Sequence, residues 1–278
     1  MHTMSGARFT LDLTVGKNDI AEAVDYLAAH SGLSKSAVKD AMNKGAVWLT
    51  RRGERKRLRR ATAALVPGDR LQLFYDRDLL SFNPPPARLI HDACRYSVWF
   101  KPAGMLAQGT DAGDHAALTR HAEKALARPV FPVHRLDREA LGLMVLAHDR
   151  EAAARLSALF AGNDVAKHYR VQVRGQLQGE GRIEQPLDGK SARTDYRVLA
   201  YDAAGDVTTV EVRLHSGRLH QIRRHMAAPG HGVMGDPRYG TGNKNREGLR
   251  LAAVRRSFTD PFTRELRTFA VEPEWVGF

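Results

Sequence analysis

Two spacings of hydrophobic residues organise this chain and predict its elements. Apolar side chains three and four residues apart indicate amphipathic helices. One such series is formed by Ile20, Val24 and Leu27. A second begins at Ser34, a favourable helix cap, and ends at Gly45, with its inward positions at Ala37, Val38, Ala41 and Met42. A third helix is predicted over residues 150–160, with Asp149 as its cap and Gly162 as its end.

Alternating and continuous apolar stretches predict strands between these helices. Residues 46–49 form one, and Pro67-Gly68-Asp69 is a turn that leads into another. Strands predicted further along the chain cover residues 97–100, 143–147, 169–173, 207–214 and 266–271. A chain that mixes helices and strands in this way is typical of an α+β fold.

A proline-rich segment divides the chain into two predicted domains. Residues 81–87 read SFNPPPA, and three consecutive prolines cannot continue a helix or a central strand. We therefore predict a small domain over residues 1–80, a stiff linker over 81–87 and a large domain over 88–278.

Charge and cysteine content narrow the class of partner. The 278 residues include 43 Lys and Arg against 31 Asp and Glu, a formal charge of +12 that favours a polyanionic partner. No apolar run approaches the roughly 18 residues of a spanning helix, and residues 1–13 show no apolar signal core. A single cysteine, Cys94, excludes an internal disulfide and a multi-cysteine metal site. We therefore place the protein in the cytoplasm, as a monomer by default and without a membrane partner, and expect nucleic acid as its leading partner.

The small domain resembles the alpha-L RNA-binding domain through residues 33–50 and 66–74, although Asn18-Asp19-Ile20 replaces the usual Arg-Leu-Asp opening. Basic side chains on one face would contact phosphates without reading sequence. The predicted contacts are Lys35, Lys39, Arg51, Arg52, Arg55, Lys56, Arg57, Arg59 and Arg60. The alternative is a basic loop that is only solvated.

One stretch of the large domain, Phe131 to Ala147, places His134-Arg135-Leu136-Asp137 directly before a glycine and an apolar run. It resembles the signature of the large, RluA-type RNA pseudouridine synthases. Four further segments resemble motifs of that family in the same order, namely Lys101–Gly104, Lys167–Tyr169, Gly217–Met226 and Gly235–Gly240.

The resemblance implies a catalytic domain of mixed, mainly antiparallel sheets with flanking helices. It also implies the chemistry: uracil is detached from its ribose, rotated and rejoined through carbon 5 without a cofactor. Carried over by motif, Asp137 is the essential aspartate, Tyr169 stacks on the base and Arg218 pairs with the aspartate. The other residues expected at the substrate are Arg135, His134, Lys167, His220, Gln221, Arg223 and Leu251.

The residue types suit this chemistry on physical grounds. Glycosidic cleavage needs a nucleophile at the sugar carbon or stabilisation of positive charge there, and a carboxylate can supply either. A nearby guanidinium keeps such a carboxylate ionised in a partly apolar pocket. A stacked aromatic ring holds a base that has left its helix.

Departures from the family pattern leave alternatives open. Ala140-Leu141 stands where hydroxyl residues are usual, and Ala252 stands where a histidine is usual. Asp137 could instead be the structural partner of Arg135 or Arg138. His215, His220, His225 and His231 have spacings that do not suit a metal site. We expect modification of ribosomal large-subunit RNA; the alternatives are transfer RNA, a non-catalytic RNA-binding or ribosome-assembly factor, and an RNA hydrolase.

Overall fold

The computed structural model describes residues 8–19 and 22–278, and contacts between Cα atoms divide the chain into two compact units. Unit 1 contains residues 1–83 and 108–125, and unit 2 contains residues 84–107 and 126–278. The chain first leaves unit 1 between Asn83 and Pro84, inside the segment predicted as a linker. The return of residues 108–125 to unit 1 differs from the predicted continuous domain over 88–278.

Unit 1 combines helices with a small antiparallel sheet. Its described elements are β1 (Arg8–Thr14), α1 (Ala23–Ser31), α2 (Lys35–Asn43), β2 (Val47–Arg51), β3 (Glu54–Arg57), β4 (Arg70–Asp76), α3 (Arg77–Ser81) and most of α4 (Leu118–Leu126). Among the described residues its sheet has the strand order β1-β4-β2-β3. Val24 and Leu27 are buried as predicted, whereas Ile20 lies outside the described residues. The second predicted helix is also confirmed, because the Ser34 side chain accepts a hydrogen bond from the Ala37 N–H.

Acidic side chains of residues 108–125 explain why this segment belongs to unit 1. Asp114 pairs with Arg59 at 2.5 Å and with Arg57 at 3.3 Å. Asp111 pairs with Arg55 at 3.2 Å, and its carbonyl accepts a hydrogen bond from the Trp48 indole N–H. Three of the arginines predicted to contact phosphates are thus paired within unit 1, and two of them, Arg55 and Arg57, lie on β3 and not in a loop.

Unit 2 is built around one large mixed sheet. Its strands are β5 (Arg88–Asp92), β6 (Tyr96–Lys101), β7 (Phe131–Pro132), β8 (Leu141–Ala147), β9 (Ala166–Arg174), β10 (Glu180–Ile183), β11 (Thr194–Asp202), β12 (Val207–Leu214), β13 (Leu251–Thr259) and β14 (Leu266–Ala270). Its helices are α5 (Arg150–Gly162), α6 (Gln221–Ala227) and α7 (Pro273–Val276). The main strand order is β10-β11-β12-β9-β13-β8-β6-β5, with β14 beside β13 and β7 beside β8. These elements confirm the α+β class and the mainly antiparallel pairing.

The parallel pair β8–β13 lies at the start of the apolar run that follows Asp137. Gly142 pairs with Ala253 there at a φ of 116°. A Cβ atom on Gly142 would lie 2.3 Å from the Ala253 carbonyl oxygen, so no larger residue fits. From Leu143 to Ala147 the strand is fully buried, which anchors the loop before β8 in the core.

Helix α5 packs against this strand and begins where predicted. The Asp149 side chain accepts a hydrogen bond from the Ala152 N–H at 2.8 Å. The helix ends at Gly162, but the left-handed cap is Asn163, at a φ of 65°. None of the described helices is long and apolar enough to cross a membrane.

Candidate active site

A cavity of about 140 Å³ in unit 2 brings most of the predicted site residues together. It is lined by the loop that follows β7, by β9, by the loop after β12 with the start of α6, and by the start of β13. The lining residues are Arg135, Leu136, Asp137, Ala140, Tyr169, Leu214, Gly217, Arg218, Leu219, His220, Gln221, Ile222, Arg223 and Leu251. A carboxylate, an aromatic ring and several cations therefore share one partly apolar pocket.

Asp137 is held by Arg223, not by Arg218 as the sequence predicted. The Arg223 Nη1 donates to Asp137 Oδ2 at 2.8 Å. Arg218 also lines the cavity, but its Nε donates to the Ser191 carbonyl at 3.0 Å. Both arginines belong to one motif, and only Arg223 lies on α6, whose first turn directs its side chain inward. About a quarter of the Asp137 side chain, 24%, stays accessible to a ligand.

A second carboxylate fixes the position of Arg223. Asp236 accepts hydrogen bonds from Arg223 Nε and Nη2, both at 2.7 Å, in a buried bidentate pair. Burial alone would raise the pKa of Asp236, but Arg223 and the backbone N–H groups of Arg238 and Tyr239 hold it below its usual value. Burial opposes the charge on Arg223, yet its bonds to Asp236 and Asp137 raise the pKa of the guanidinium. Arg223 is thus a fixed cation between two anions.

His220 lies beside Asp137 as a neutral side chain. Its Nε2 is 3.7 Å from Asp137 Oδ1, and its Nδ1 is 3.0 Å from the Tyr239 hydroxyl. Burial lowers the pKa of His220, although Asp137 opposes the shift, so the ring is uncharged near neutral pH. His220 has a left-handed φ of 52°, a strained conformation for a residue other than glycine.

Gln221 shapes the loop that carries Arg218. Its side-chain carbonyl accepts from the Ser216 hydroxyl at 2.9 Å and from the Arg218 N–H at 3.0 Å. Its amide donates to the Arg193 carbonyl and to the Thr194 hydroxyl. The side-chain amide of Gln221 thus bonds only to other protein groups in these contacts, and it stabilises the wall of the cavity.

Two residues predicted to bind substrate lie outside the cavity lining. The His134 ring stacks on Phe160 with centroids 4.0 Å apart, and its Nε2 accepts the Val145 N–H at 3.0 Å. Burial and the charges of Arg256 and Lys167 keep the pKa of His134 well below its usual value, which suits an accepting neutral ring. Lys167 is buried and donates to Asn163 at 3.3 Å. Both side chains support the fold around the pocket.

Lys101 is a residue whose role sequence reasoning did not identify. Its buried ammonium donates to the carbonyls of Pro102, Met105 and Arg138 at 3.0, 2.8 and 3.2 Å. The last of these carbonyls belongs to the residue after Asp137. Lys101 thus ties the loop that carries Asp137 to the loop that follows β6. Its place in a Lys-Pro motif was visible, but only the fold shows which carbonyls it reaches.

The free energy of unfolding should depend on pH because Lys101 is buried. Burial lowers the pKa of Lys101 to about 7 from 10.5, against the opposing charges of Glu139 and Asp137. The unfolded chain then binds the extra proton between these two values, so stability should rise as pH increases from about 7 to 10. We expect a rise of about 2–4 kcal/mol in the free energy of unfolding of the wild type. The Lys101→Met variant should not show this rise.

Urea denaturation at several pH values measures the rise, and the control is Lys190→Met, which replaces an exposed lysine. A difference between wild type and Lys101→Met that does not change with pH would contradict the assignment.

The histidines that suggested a metal reading have other partners. His215 contacts Asp195 at 2.8 Å, His225 contacts Thr194 at 2.8 Å and His231 contacts the Arg174 carbonyl at 2.9 Å. Within residues 8–19 and 22–278 no group of three or more His, Cys, Asp or Glu residues is arranged to hold a metal ion.

Comparisons with known proteins agree with the motif resemblance. Residues 95–228 match the model of the RNA pseudouridylate synthase family. The chain is 34% identical over 213 residues to a tRNA pseudouridine synthase C of Pasteurella multocida, covering 63% of this chain and 88% of that protein. It is 31% identical over 194 residues to a ribosomal large subunit pseudouridine synthase D of Zymomonas mobilis, covering 64% and 58% of the two chains.

A solved structure shares the fold of this chain. Human RNA pseudouridylate synthase domain containing 1 superposes with a TM-score of 0.58 at 22% identity, over 69% of this chain and 86% of that one. The names of these relatives agree on the reaction but differ in the RNA, since one names transfer RNA and the other the large ribosomal subunit. With the motifs, the fold and these matches together, the chain belongs to the RluA-type RNA pseudouridine synthases, which are isomerases that modify RNA.

Proposed function

We propose that this protein converts uridine to pseudouridine in a structured RNA, with Asp137 as the essential catalytic residue. The observation that supports this most directly is the pairing of Asp137 with the buried Arg223 inside a cavity that Tyr169 also lines. A partly accessible carboxylate beside a fixed guanidinium is suited to attack the sugar carbon or to stabilise positive charge there.

The reaction is an isomerisation and needs no added group. The bond between ribose carbon 1′ and uracil N1 breaks, and a bond between carbon 1′ and carbon 5 forms. Carbon 5 loses a proton and N1 gains one, so atoms and electrons balance. Asp137 acts at the ribose, and the ring of Tyr169 stacks on the detached base, where its hydroxyl can assist proton removal from carbon 5.

A uridine within paired RNA must leave its helix to reach this cavity. Extrusion of a base into a pocket is the general solution for enzymes that act on nucleobases. Arg135 is exposed where the cavity opens, and we assign it to contacts with the RNA backbone that accompany base displacement. Leu251 and Leu136 supply an apolar wall for the base.

The preferred substrate in this proposal is large-subunit ribosomal RNA. The support is unit 1, which resembles a module that binds structured RNA, and the net charge of +12. The relative named for transfer RNA makes that substrate the second candidate. Mapping of pseudouridines in total RNA from a strain that lacks the gene distinguishes them, because the missing site identifies the target.

Release of tritium tests the reaction itself. RNA carrying uridine labelled with tritium at carbon 5 should lose label to water during incubation with the protein, and digestion should yield pseudouridine. Free uracil or cut strands would instead indicate a hydrolase. RNA binding without tritium release, on RNAs that contain the mapped site, would show that the protein is a non-catalytic RNA-binding factor.

Basic residues of unit 1 that remain available should account for part of the RNA affinity. Lys39, Arg52 and Lys56 are exposed and make no ion pair within the described part of the chain. Replacing all three with Ala should weaken RNA binding about equally for different sequences. The slope of log affinity against log salt should become shallower by about 2–3, at roughly 0.7–0.9 for each phosphate that is no longer neutralised.

Filter binding at several salt concentrations measures this slope. The matched control is Arg70→Ala in the same unit, because Arg70 is paired with Asp12. An unchanged slope in the triple variant would contradict an RNA-binding role for Lys39, Arg52 and Lys56.

A further inference from the structure

Arg256 on β13 is a fully buried arginine directly beside the candidate active site. Its side chain has no exposed surface, at 0%. Its guanidinium carbon lies 4.5 Å from the centroid of the Tyr169 ring, in cation–π geometry. Because Tyr169 lines the cavity and Arg256 is buried, the guanidinium holds the ring from the side of the protein core.

The remaining contacts of Arg256 leave much of its hydrogen-bonding capacity unused. Nη1 donates to the His168 carbonyl at 3.3 Å and to its neighbour's carbonyl, that of Arg255, at 2.9 Å. Nε and Nη2 have no hydrogen-bond partner in the described structure. Nor does Arg256 form a salt bridge with any described carboxylate. A buried cation with free donors destabilises a fold, so its presence calls for a specific explanation.

The charge of Arg256 acts on two basic neighbours, Lys167 and His134. Burial and the charge of Arg256 together lower the pKa of Lys167, and burial with the same charge lowers the pKa of His134. Arg256 therefore raises the positive potential around Lys167 and His134, and no described carboxylate is paired with Arg256 to offset it. An apolar residue of similar length would fill the space at a smaller free-energy cost.

We propose that Arg256 is a positioning residue that fixes the ring of Tyr169 in the orientation needed to stack on the displaced uracil. This inference rests on the proposed function of the cavity. The planar guanidinium covers one side of the ring and restricts its rotation, while the cavity side stays free for the base. Reaction rates depend steeply on the alignment of groups at the reacting centre, so a ring left without this support would lower turnover.

Arg256→Leu separates positioning from general stability. This change removes an unpaired buried charge, so the variant should melt at the same temperature as the wild type or higher. Its RNA affinity should stay within about twofold, while kcat falls about tenfold. The matched control is Arg255→Leu, which removes the same charge from the adjacent, exposed position on the same strand. That control should retain kcat within about twofold.

Arg256→Lys is the second variant, because it keeps the charge and loses the flat stacking surface. Its kcat should lie between those of the wild type and Arg256→Leu. If Arg256→Leu does not fold, the comparison of Arg256→Lys with Arg255→Lys decides: a several-fold lower kcat at position 256 supports the proposal, and equal kcat values overturn it. Wild-type turnover in a folded Arg256→Leu protein also overturns it.

The signals of labelled tyrosine rings test the positioning role of Arg256 independently of catalytic activity. In protein labelled on its tyrosine rings, the Tyr169 signals should shift or broaden in Arg256→Leu and stay unchanged in Arg255→Leu. If the wild-type protein formed no pseudouridine, the proposed function would fail while the ring signals still reported positioning. Unchanged Tyr169 signals in Arg256→Leu would reject the positioning role whatever the activity.

Discussion

Asp137→Asn should lower the rate of pseudouridine formation by at least about 10³-fold, the scale seen when an essential catalytic side chain is removed. The amide has the shape of the carboxylate but carries no charge, so it neither attacks the ribose nor stabilises a developing cation. Binding of RNA should change by less than about twofold. Folding should be retained, because Asp236 still pairs with Arg223 and the amide oxygen of the new side chain can accept the Nη1 hydrogen bond.

Single-turnover tritium release with saturating enzyme measures this loss without interference from product dissociation. Asp188→Asn is the matched control, since Asp188 is an exposed aspartate of the same unit that pairs with Arg224. It should react at close to the wild-type rate. Near wild-type turnover in Asp137→Asn would remove the basis of the proposed mechanism.

Arg223→Met should have the largest effect on stability, and it should also abolish activity. The change leaves Asp137 and the buried Asp236 without their shared cation. Removing one partner of a buried ion pair costs about 3–5 kcal/mol, because the other charge stays desolvated. The neighbouring Arg224→Met breaks only the exposed pair with Asp188, and should change the free energy of unfolding much less, because solvent screens that pair.

The pH dependence of this loss follows from Asp236. In the wild type the pKa of Asp236 is lowered from 3.8, so its contribution to stability is present above that value and disappears as pH falls below it. The difference between wild type and Arg223→Met should therefore be largest near pH 7 and shrink in acid. Urea denaturation at pH 7 and near pH 3 measures both differences, since the contribution of Asp236 is lost only below 3.8.

A double variant completes the test of the buried pair. Arg223→Met with Asp236→Leu should recover much of the lost stability, because no unpaired carboxylate remains at position 236. Activity should stay absent, since Asp137 still lacks its cation. An Arg223→Met protein as stable as the wild type at pH 7 would mean that the pair contributes little to folding.

Local sequence signals predicted part of this fold, but they did not predict strands such as β11 and β13 or helix α6. Caps at Ser34 and Asp149 and the apolar runs of β8 and β12 depend on neighbouring residues, which a sequence displays directly. The position of residues 108–125 could not be read in this way. Its cause is the pairing of Asp111 and Asp114 with arginines more than fifty positions earlier.

The candidate site shows the same division between local and distant information. The motifs indicated which segments meet at the cavity, and Asp137, Tyr169 and Leu251 do meet there. They did not show which arginine faces the aspartate, because Arg218 in the loop before α6 and Arg223 on α6 belong to one motif, and only the fold gives the direction of each side chain. Arg256 gave no signal, since a single arginine in a strand is indistinguishable in sequence from a solvated one.

The excursion of residues 108–125 bears on how the protein can be dissected. Because the chain passes between its two halves at three places, a single proteolytic cut cannot release either half intact. A recombinant fragment that starts at Pro84 would retain Asp111 and Asp114 after losing the arginines that neutralise them. Failure of such a truncated enzyme to stay soluble would therefore say nothing about whether RNA binding requires the missing residues.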